Sequence, residues 1–310
     1  MKIELTDTTA SAIDRALIQG RRAIGTPVVG MVLTMVIVTD EENAYDSIKA
    51  AEGASQEHPS RTLVVIKRHA RNPHGSHRSH LDAEVRVGSE AGTGETVVLR
   101  LYGEVSEHAD SVVLPLLLPD APVVVWWPVH APDNPAKDPL GALGQRRITD
   151  AFADVAPLRA LQNRVSSYAP GDTDLAWTRL TPWRSALAAA LDQTEVEVTS
   201  ATVEAEAGNP SAELLVRWLQ AGLGMSIDRK VSAGPVITVV RLGTAHGEIV
   251  IDRSEGPLAT LTLAGQPTHS LALKIRSTSE LISEELRRLD ADGMYAIALR
   301  GEGSADTRHI

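Results

Sequence analysis

The 310-residue sequence contains no cysteine, which excludes disulfides, thiolate metal sites, iron–sulfur clusters and cysteine nucleophiles together. Aromatic residues are also scarce: one phenylalanine, four tyrosines and five tryptophans make up 3% of the chain, so its cores must rest on branched aliphatic residues. Apolar runs are short. The longest, such as "VVLPLLLP" at 112–119, fall far below the roughly 20 residues that span a bilayer, so no membrane segment is expected. The opening "MKIELTDTTASAIDRALIQG" lacks the basic start, apolar centre and small-residue cleavage site of a secretory signal, which makes a cytoplasmic protein beginning near Met1 the expectation. Positive charge is in deficit. Thirty basic residues against forty acidic ones leave a formal charge of −10, which repels a phosphate backbone and argues against nucleic acid as a partner.

Motifs of catalysis are missing as well. There is no "GxSxG" elbow, no "HExxH" pair and no closely spaced carboxylate pair in a polar setting. The strand-like "VIVTDEEN" carries no glycine where a phosphate-binding loop needs free amides, and Gly88, Gly92 and Gly94 lie between two strands instead. No nucleotide cofactor is expected. His69, His74, His77 and His80 fall close together, but the run is broken by Pro, Gly and Ser and carries arginines that repel a cation, so it reads as a loop rather than a zinc site. These absences point away from an enzyme.

What the chain does have is length and pattern for two domains of about 150 residues. "VVGMVLTMVIVTD", 28–40, is a β-branched apolar run of the kind buried on both faces of a sheet. Asp40 is expected to cap a helix carrying Ala44, Ile48, Ala51 and Ser55 on one face, and "RTLVVIK" completes a β-α-β unit with parallel strands. "LDAEVRV" and "TVVLRLYG" read as an antiparallel pair, a segment from about Val105 is ended or kinked by Pro115, and "APVVVWW" returns as a buried strand. The N-terminal domain, 1–170, is therefore expected to be α/β with a mixed sheet. Beyond Pro170, helices start at Thr181 and Asn209, and four strands follow: "PVITVVRLG", "GEIVIDR", "LATLTLAG" and "HSLALKIR". A helix with the capping box "STSE" at Ser277 and with Ile282, Leu286 and Leu289 inward is expected to close the chain. Residues 171–310 thus read as an α+β domain built on an antiparallel meander.

Two features invite a functional reading. Trp126, Trp127, Trp177 and Trp183 fall within sixty residues of each other, accompanied by Arg146, Arg147, Arg179 and Arg184. Trp and Arg concentrate where binding energy concentrates, yet Trp183 follows helical spacing with Leu187 and Leu191, and adjacent Trp126 and Trp127 must point to opposite faces of their strand. The cluster reads either as interdomain core or as a partner surface formed by Trp126, Trp127, Arg146, Arg147, Trp177, Arg179 and Arg184. The second feature lies between Glu57 and Asp82, where the chain is basic without an acidic residue; Arg61, Lys67, Arg68 and Arg71 form a candidate anion site there, or else a solvated loop.

Three long blocks, "SVVLPLLLPDAPVVVWWP", "DPLGALGQRRITDAF" and "YAPGDTDLAWTRLTPWRSALAAALDQ", carry a resemblance to the OpcA family, the glucose-6-phosphate dehydrogenase assembly proteins, in its actinobacterial form. The resemblance extends from "LTDTT" to the C-terminal meander. It implies a non-catalytic protein that associates with glucose-6-phosphate dehydrogenase and promotes its active oligomeric state at the entry to the oxidative pentose phosphate pathway. It also implies that the thiol switch of relatives from oxygenic phototrophs has no cysteines to act through here. The alternative to weigh against it is a sugar-phosphate-binding protein or an enzyme of central carbon metabolism. Self-association is left open.

Overall fold

The structure, a computed structural model, describes residues 1–24, 30–68, 79–88, 94–193, 197–234, 236–254, 256 and 258–301. Its contacts divide the chain into two units, each drawn from several stretches. The first comprises Met1–Ala153, Ala169–Thr173 and Ser277–Ala291; the second comprises Asp154–Tyr168, Asp174–Arg276 and Asp292–Ile310. A single cut at Pro170 would separate Ser277–Ala291 from the unit in which it packs. The architecture is mixed α/β, with an eight-stranded sheet in the first unit and a six-stranded sheet in the second.

The first sheet is built from β1 (Lys2–Leu5), β2 (Leu33–Thr39), β3 (Ser60–Arg68), β4 (His80–Val87), β5 (Glu95–Tyr102), β6 (Val123–Trp126), β7 (Arg146–Thr149) and β8 (Asp172–Asp174), in the order β1-β4-β5-β3-β2-β6-β7-β8. Strands β5, β3, β2, β6 and β7 run parallel, while β4 pairs antiparallel with both β5 and β1. The mixed sheet and the antiparallel pair are thus as the sequence implies. Every residue of β2 and of β6 is buried, so both faces of the sheet need cover. On one face α1 (Ala10–Ile24) and α3 (Ala109–Val113) enclose Val36, Val38, Leu63, Val65, Val97, Leu99, Val125 and Trp127. On the other, α2 (Ala44–Ser55) lies along β2 and β3. Helix α2 starts later than expected: Asn43 is its N-cap position, and Asp40 closes the preceding turn by accepting from the Asn43 amide at 2.8 Å.

Helix α8 (Thr278–Arg287) packs on α2, as the buried Leu281, Ile282 and Leu286 require. The two helices approach so closely that a Cβ on Gly53 would overlap the Ser279 hydroxyl. The expected capping box is present, with Ser277 Oγ accepting from the Glu280 amide and the Glu280 carboxylate accepting from the Ser277 amide at 2.8 Å. Leu289 lies past the end of α8 and is only half-buried.

The second unit contains α4 (Pro157–Ser167), α5 (Leu175–Thr178), α6 (Thr181–Asp192), α7 (Pro210–Leu223) and α9 (Gly293–Arg300), so α8 does not close the chain. Its sheet is formed by β9 (Val198–Ala205), β10 (Asp228–Val231), β11 (Ile237–Thr244), β12 (Gly247–Asp252), β13 (Leu258–Thr262) and β14 (His269–Ala272), ordered β10-β9-β11-β12-β13-β14. The four expected strands, β11 to β14, form the antiparallel meander. Strands β9 and β10, which the apolar pattern does not mark, pair in parallel around α7, whose Asn209 side chain caps the Ala212 amide at 2.9 Å. Alternation in β9 buries Ala201, Val203 and Ala205 and leaves Thr202 and Glu204 on the opposite, half-exposed side.

Replacing Ser277 with Ala removes one half of the α8 capping box, and the expected loss is about 1 kcal/mol, read as a lower midpoint in urea unfolding.

Candidate functional site

The stretch that ends in two tryptophans resolves into core. Trp126 closes β6 in register with Ile37 of β2 and Ile148 of β7, and Trp127 continues the pairing through its amide to the Ile148 carbonyl at 3.0 Å. Strand alternation sends the two indoles to opposite faces, and because helices cover both faces, each is buried, at 1% and 2% exposure. Trp127 joins the aliphatic cluster under α1 and α3 together with Leu140. The proline-rich loop that follows is held from within. Asp138 Oδ1 accepts from the amides of Leu140 and Gly141, and a Cβ on Gly141 would overlap the Pro135 carbonyl oxygen. The loop's role is to fold back over Trp127, and no apolar ledge is offered to solvent there.

Arg146 and Arg147 are likewise committed inside the first unit. Neighbours on β7, they point to opposite faces. Arg146 pairs with Glu285 of α8 at 2.5 Å and donates to the Asp290 carbonyl at 2.9 Å. Arg147 pairs with Asp172 and donates to the carbonyls of Gly144 and Pro170 at 2.8 and 2.6 Å. Each guanidinium thus ties a sequence-distant segment to the sheet, and each is at least nine-tenths buried. Charges so enclosed and so bonded are structural clamps rather than partner contacts, because freeing either would strand a carboxylate in a dry site.

In the second unit Trp177 and Trp183 are also core, at 1% and 4% exposure. The Trp177 indole N–H donates to Asp292 at 2.8 Å, and the other carboxylate oxygen of Asp292 caps α9 by accepting from Met294 and Tyr295. Arg184 lies 3.8 Å over the Trp177 ring, and the Tyr295 ring is 6.0 Å away. One carboxylate therefore fixes both the tryptophan and the start of the last helix. Arg179 and Arg184 are only half-buried, which makes them the reachable members of the cluster.

The basic segment divides in the same way. Arg61 is 5% exposed, pairs with Glu95 at 3.0 Å and donates to the Leu116 carbonyl; Arg21 reaches the same carboxylate from α1. It is a buried clamp and not part of an anion site, and burial pushes its pKa down against the pull of Glu95. Lys67 is half-buried, Arg68 is exposed, and Arg71 lies outside the described residues, as do His69, His74 and His77. Arg68 and Arg100 share Glu41, at 2.7 and 3.0 Å. Burial opposes ionisation of Glu41, but hydrogen bonds from Arg100 and Arg68 outweigh it and hold the carboxyl below its ordinary range. Across the sheet end Arg68, Tyr102 and His80 occupy one register row on β3, β5 and β4, with His80 stacked on Tyr102 at 4.2 Å. Sequence spacing could not have found this row, since its members come from three strands. A cavity of about 520 Å³ opens beside it, lined by Thr8, Thr9, Ser79, His80, Glu104 and His108 among others.

Among the described residues no group of three or more His, Asp or Glu is placed to hold a metal ion. What the side chains do is hold segments together.

Trp127→Ala should lower stability by roughly 3 to 5 kcal/mol in denaturant unfolding, the cost of emptying a closed site; a variant as stable as the wild type would return Trp127 to the surface. The Glu41 cluster gives a pH dependence. A carboxyl whose folded pKa is depressed adds stability that is present above the unfolded value and lost as pH falls through the folded one. On acidification below the reference value of 4.5 the wild type should therefore lose more of its melting temperature than Glu41→Gln does.

Residues 51–166 match the family described as the glucose-6-phosphate dehydrogenase subunit N-terminal domain, and residues 170–299 match the corresponding C-terminal domain. No curated protein matches the chain. Among solved structures it is similar to an oxidoreductase from Sinorhizobium meliloti, 9% identical, covering 86% of each chain with a TM-score of 0.42. It is also similar to an E. coli structure described as trehalose-6-phosphate bound with UDP-2-fluoro glucose, 9% identical over 64% of each chain with a TM-score of 0.25. At those scores neither likeness bears on fold or activity. The two family matches follow one another along well over half of the sequence, and the chain belongs to the OpcA family of glucose-6-phosphate dehydrogenase assembly proteins.

Proposed function

We propose that this protein is a non-catalytic assembly factor of the actinobacterial form, which binds glucose-6-phosphate dehydrogenase and favours its active oligomer at the start of the oxidative pentose phosphate pathway. The observation that carries the reading is the pair of consecutive family matches, which take in most of both units. The side-chain inventory is compatible with it, since the buried tryptophans and arginines serve packing and clamping rather than bond making. Arg179 and Arg184 are the members of the tryptophan and arginine cluster through which a partner would be met. The rival reading, a sugar-phosphate-binding protein or an enzyme, rests on the α/β first domain and on a basic stretch in which Arg61 pairs with Glu95 and Arg68 with Glu41.

Activation of this kind is a population shift. The factor must bind the active arrangement of the dehydrogenase more tightly than the inactive one, and a tenfold shift requires about 1.4 kcal/mol of differential affinity, within the range of one well-packed contact. Equal affinity for both arrangements would change nothing. Without cysteine the factor itself cannot be switched by thiol exchange. A cytoplasmic location fits such a partner; among the described residues no helix is long and apolar enough to cross a membrane.

Glucose-6-phosphate dehydrogenase from the same organism, assayed with increasing amounts of this protein while particle mass is followed by light scattering, should show a saturable rise in rate together with a larger particle. A rate and a mass that both stay constant at micromolar excess would overturn the reading.

A further inference from the structure

The first sheet ends in an edge strand whose charges are complementary to those of its own copy. Strand β1 pairs with β4 in a register that runs from Lys2 with Arg86 to Leu5 with Ala83, and among the described residues no strand lies along its outer edge. Met1 and Val87 extend that register as a pair that exchanges both backbone hydrogen bonds. The Met1 ammonium donates to the Val87 carbonyl at 2.8 Å, and the Val87 amide donates to the Met1 carbonyl at 3.0 Å. In an antiparallel ladder such pairs alternate with pairs that exchange none. The backbone groups of Ile3 and Leu5 therefore turn toward β4, and the N–H and C=O groups of Lys2 and Glu4 point away from the sheet.

Side chains alternate as well. Ile3 and Leu5 pack against the aliphatic cluster under α1. Lys2 and Glu4 stand on the other face, their side chains 45% and 74% exposed, with Lys2 at 2.9 Å from Glu4 and 3.4 Å from Glu84. Proteins commonly blunt an open edge with a proline, a bulge or lysine. Strand β1 has no proline and no bulge, and its lysine is followed two residues later by a glutamate, which offsets the repulsion that a second strand of the same sequence would meet.

A second copy of β1 can add antiparallel through the outward groups only where Lys2 and Glu4 are the residues set opposite each other. Lys2 against Lys2, or Glu4 against Glu4, places like charges directly across the pair, which is destabilising; Lys2 against Glu4 places unlike charges there twice. That register pairs every outward N–H and C=O of Lys2 and Glu4. It also sets the two Ile3 side chains together in a close, non-hydrogen-bonded pair and Met1 beside Leu5 of the second copy. Such a contact is isologous and closes at two copies.

We infer that β1 is the interface of a homodimer in which the first sheet continues from one copy into the other, with Lys2 opposite Glu4. The occupant is a second copy because the charge pattern of the edge matches itself; a strand of another protein would need a glutamate and a lysine at the same spacing. The exposed charge pairs choose the register, and main-chain bonds with apolar contacts hold it. The inference stands beside the assembly role and does not rest on it.

The test is the light-scattering mass of the full chain against concentration, for the wild type, Lys2→Glu, Glu4→Lys and the double exchange, with circular dichroism and melting temperature recorded for each. The wild type should approach twice the chain mass. Each single variant sets like charges opposite and should weaken self-association tenfold or more, and the double exchange should restore it. An equimolar mixture of the two single variants should also recover the doubled mass, since one chain then offers two carboxylates to the two ammonium groups of the other. Should the charge variants fail to fold, Glu4→Pro removes an outward amide without touching the β4 ladder and should weaken the association; an unchanged mass would overturn the inference. A wild type that stays a single chain at millimolar concentration overturns it, and so does a doubled mass that all the variants share. If the wild type is a single chain and the single variants lose binding to glucose-6-phosphate dehydrogenase, the edge seats a partner strand, and the dimer falls while the assembly role stands.

Discussion

Strands that are apolar on both faces must be covered on both faces, and β2, β3 and β6 place that demand on the first unit. One face is closed by α1 and α3, which are near in sequence to the strands that they cover. The other is closed by α2 with α8 behind it, and α8 arrives from the far end of the chain. The same demand explains the tryptophans. Adjacent indoles on β6 can both be dry only in a sheet covered on both sides, and Trp126 and Trp127 are dry.

A second constraint follows from burying charge. Segments far apart in sequence have to be recruited to the first sheet, and three arginines do this with fixed geometry: Arg61 to Glu95, Arg146 to Glu285 and Arg147 to Asp172. Such pairs contribute little net stability compared with apolar packing, but a mismatched arrangement leaves a charge unpaired in a dry site, which penalises alternatives. They define where the returning helix α8 and the strand β8 belong.

The protein commits its large side chains to packing and to internal pairing. Its cores are aliphatic, its tryptophans are committed to packing, and its enclosed cations are mostly neutralised internally.

By itself the sequence determined the classes of local structure. The β-branched run at 33–39, the antiparallel pair β4 and β5, the four-stranded meander and the capping box at Ser277 are all local patterns, and local patterns are set by backbone propensity and side-chain alternation. It also determined the family, through long blocks that survive as strings. The sequence did not disclose β9 and β10, whose polar, partly exposed residues give a weak apolar signal, nor the parallel pairing that α7 imposes on them. It left open whether the tryptophans face a partner or a core, because exposure depends on which helices cover which face. Only the tertiary structure assigned Arg61, Arg146 and Arg147 to carboxylates 34, 139 and 25 residues away. Ion pairing depends on proximity in space, and composition, spacing and charge runs measure proximity along the chain.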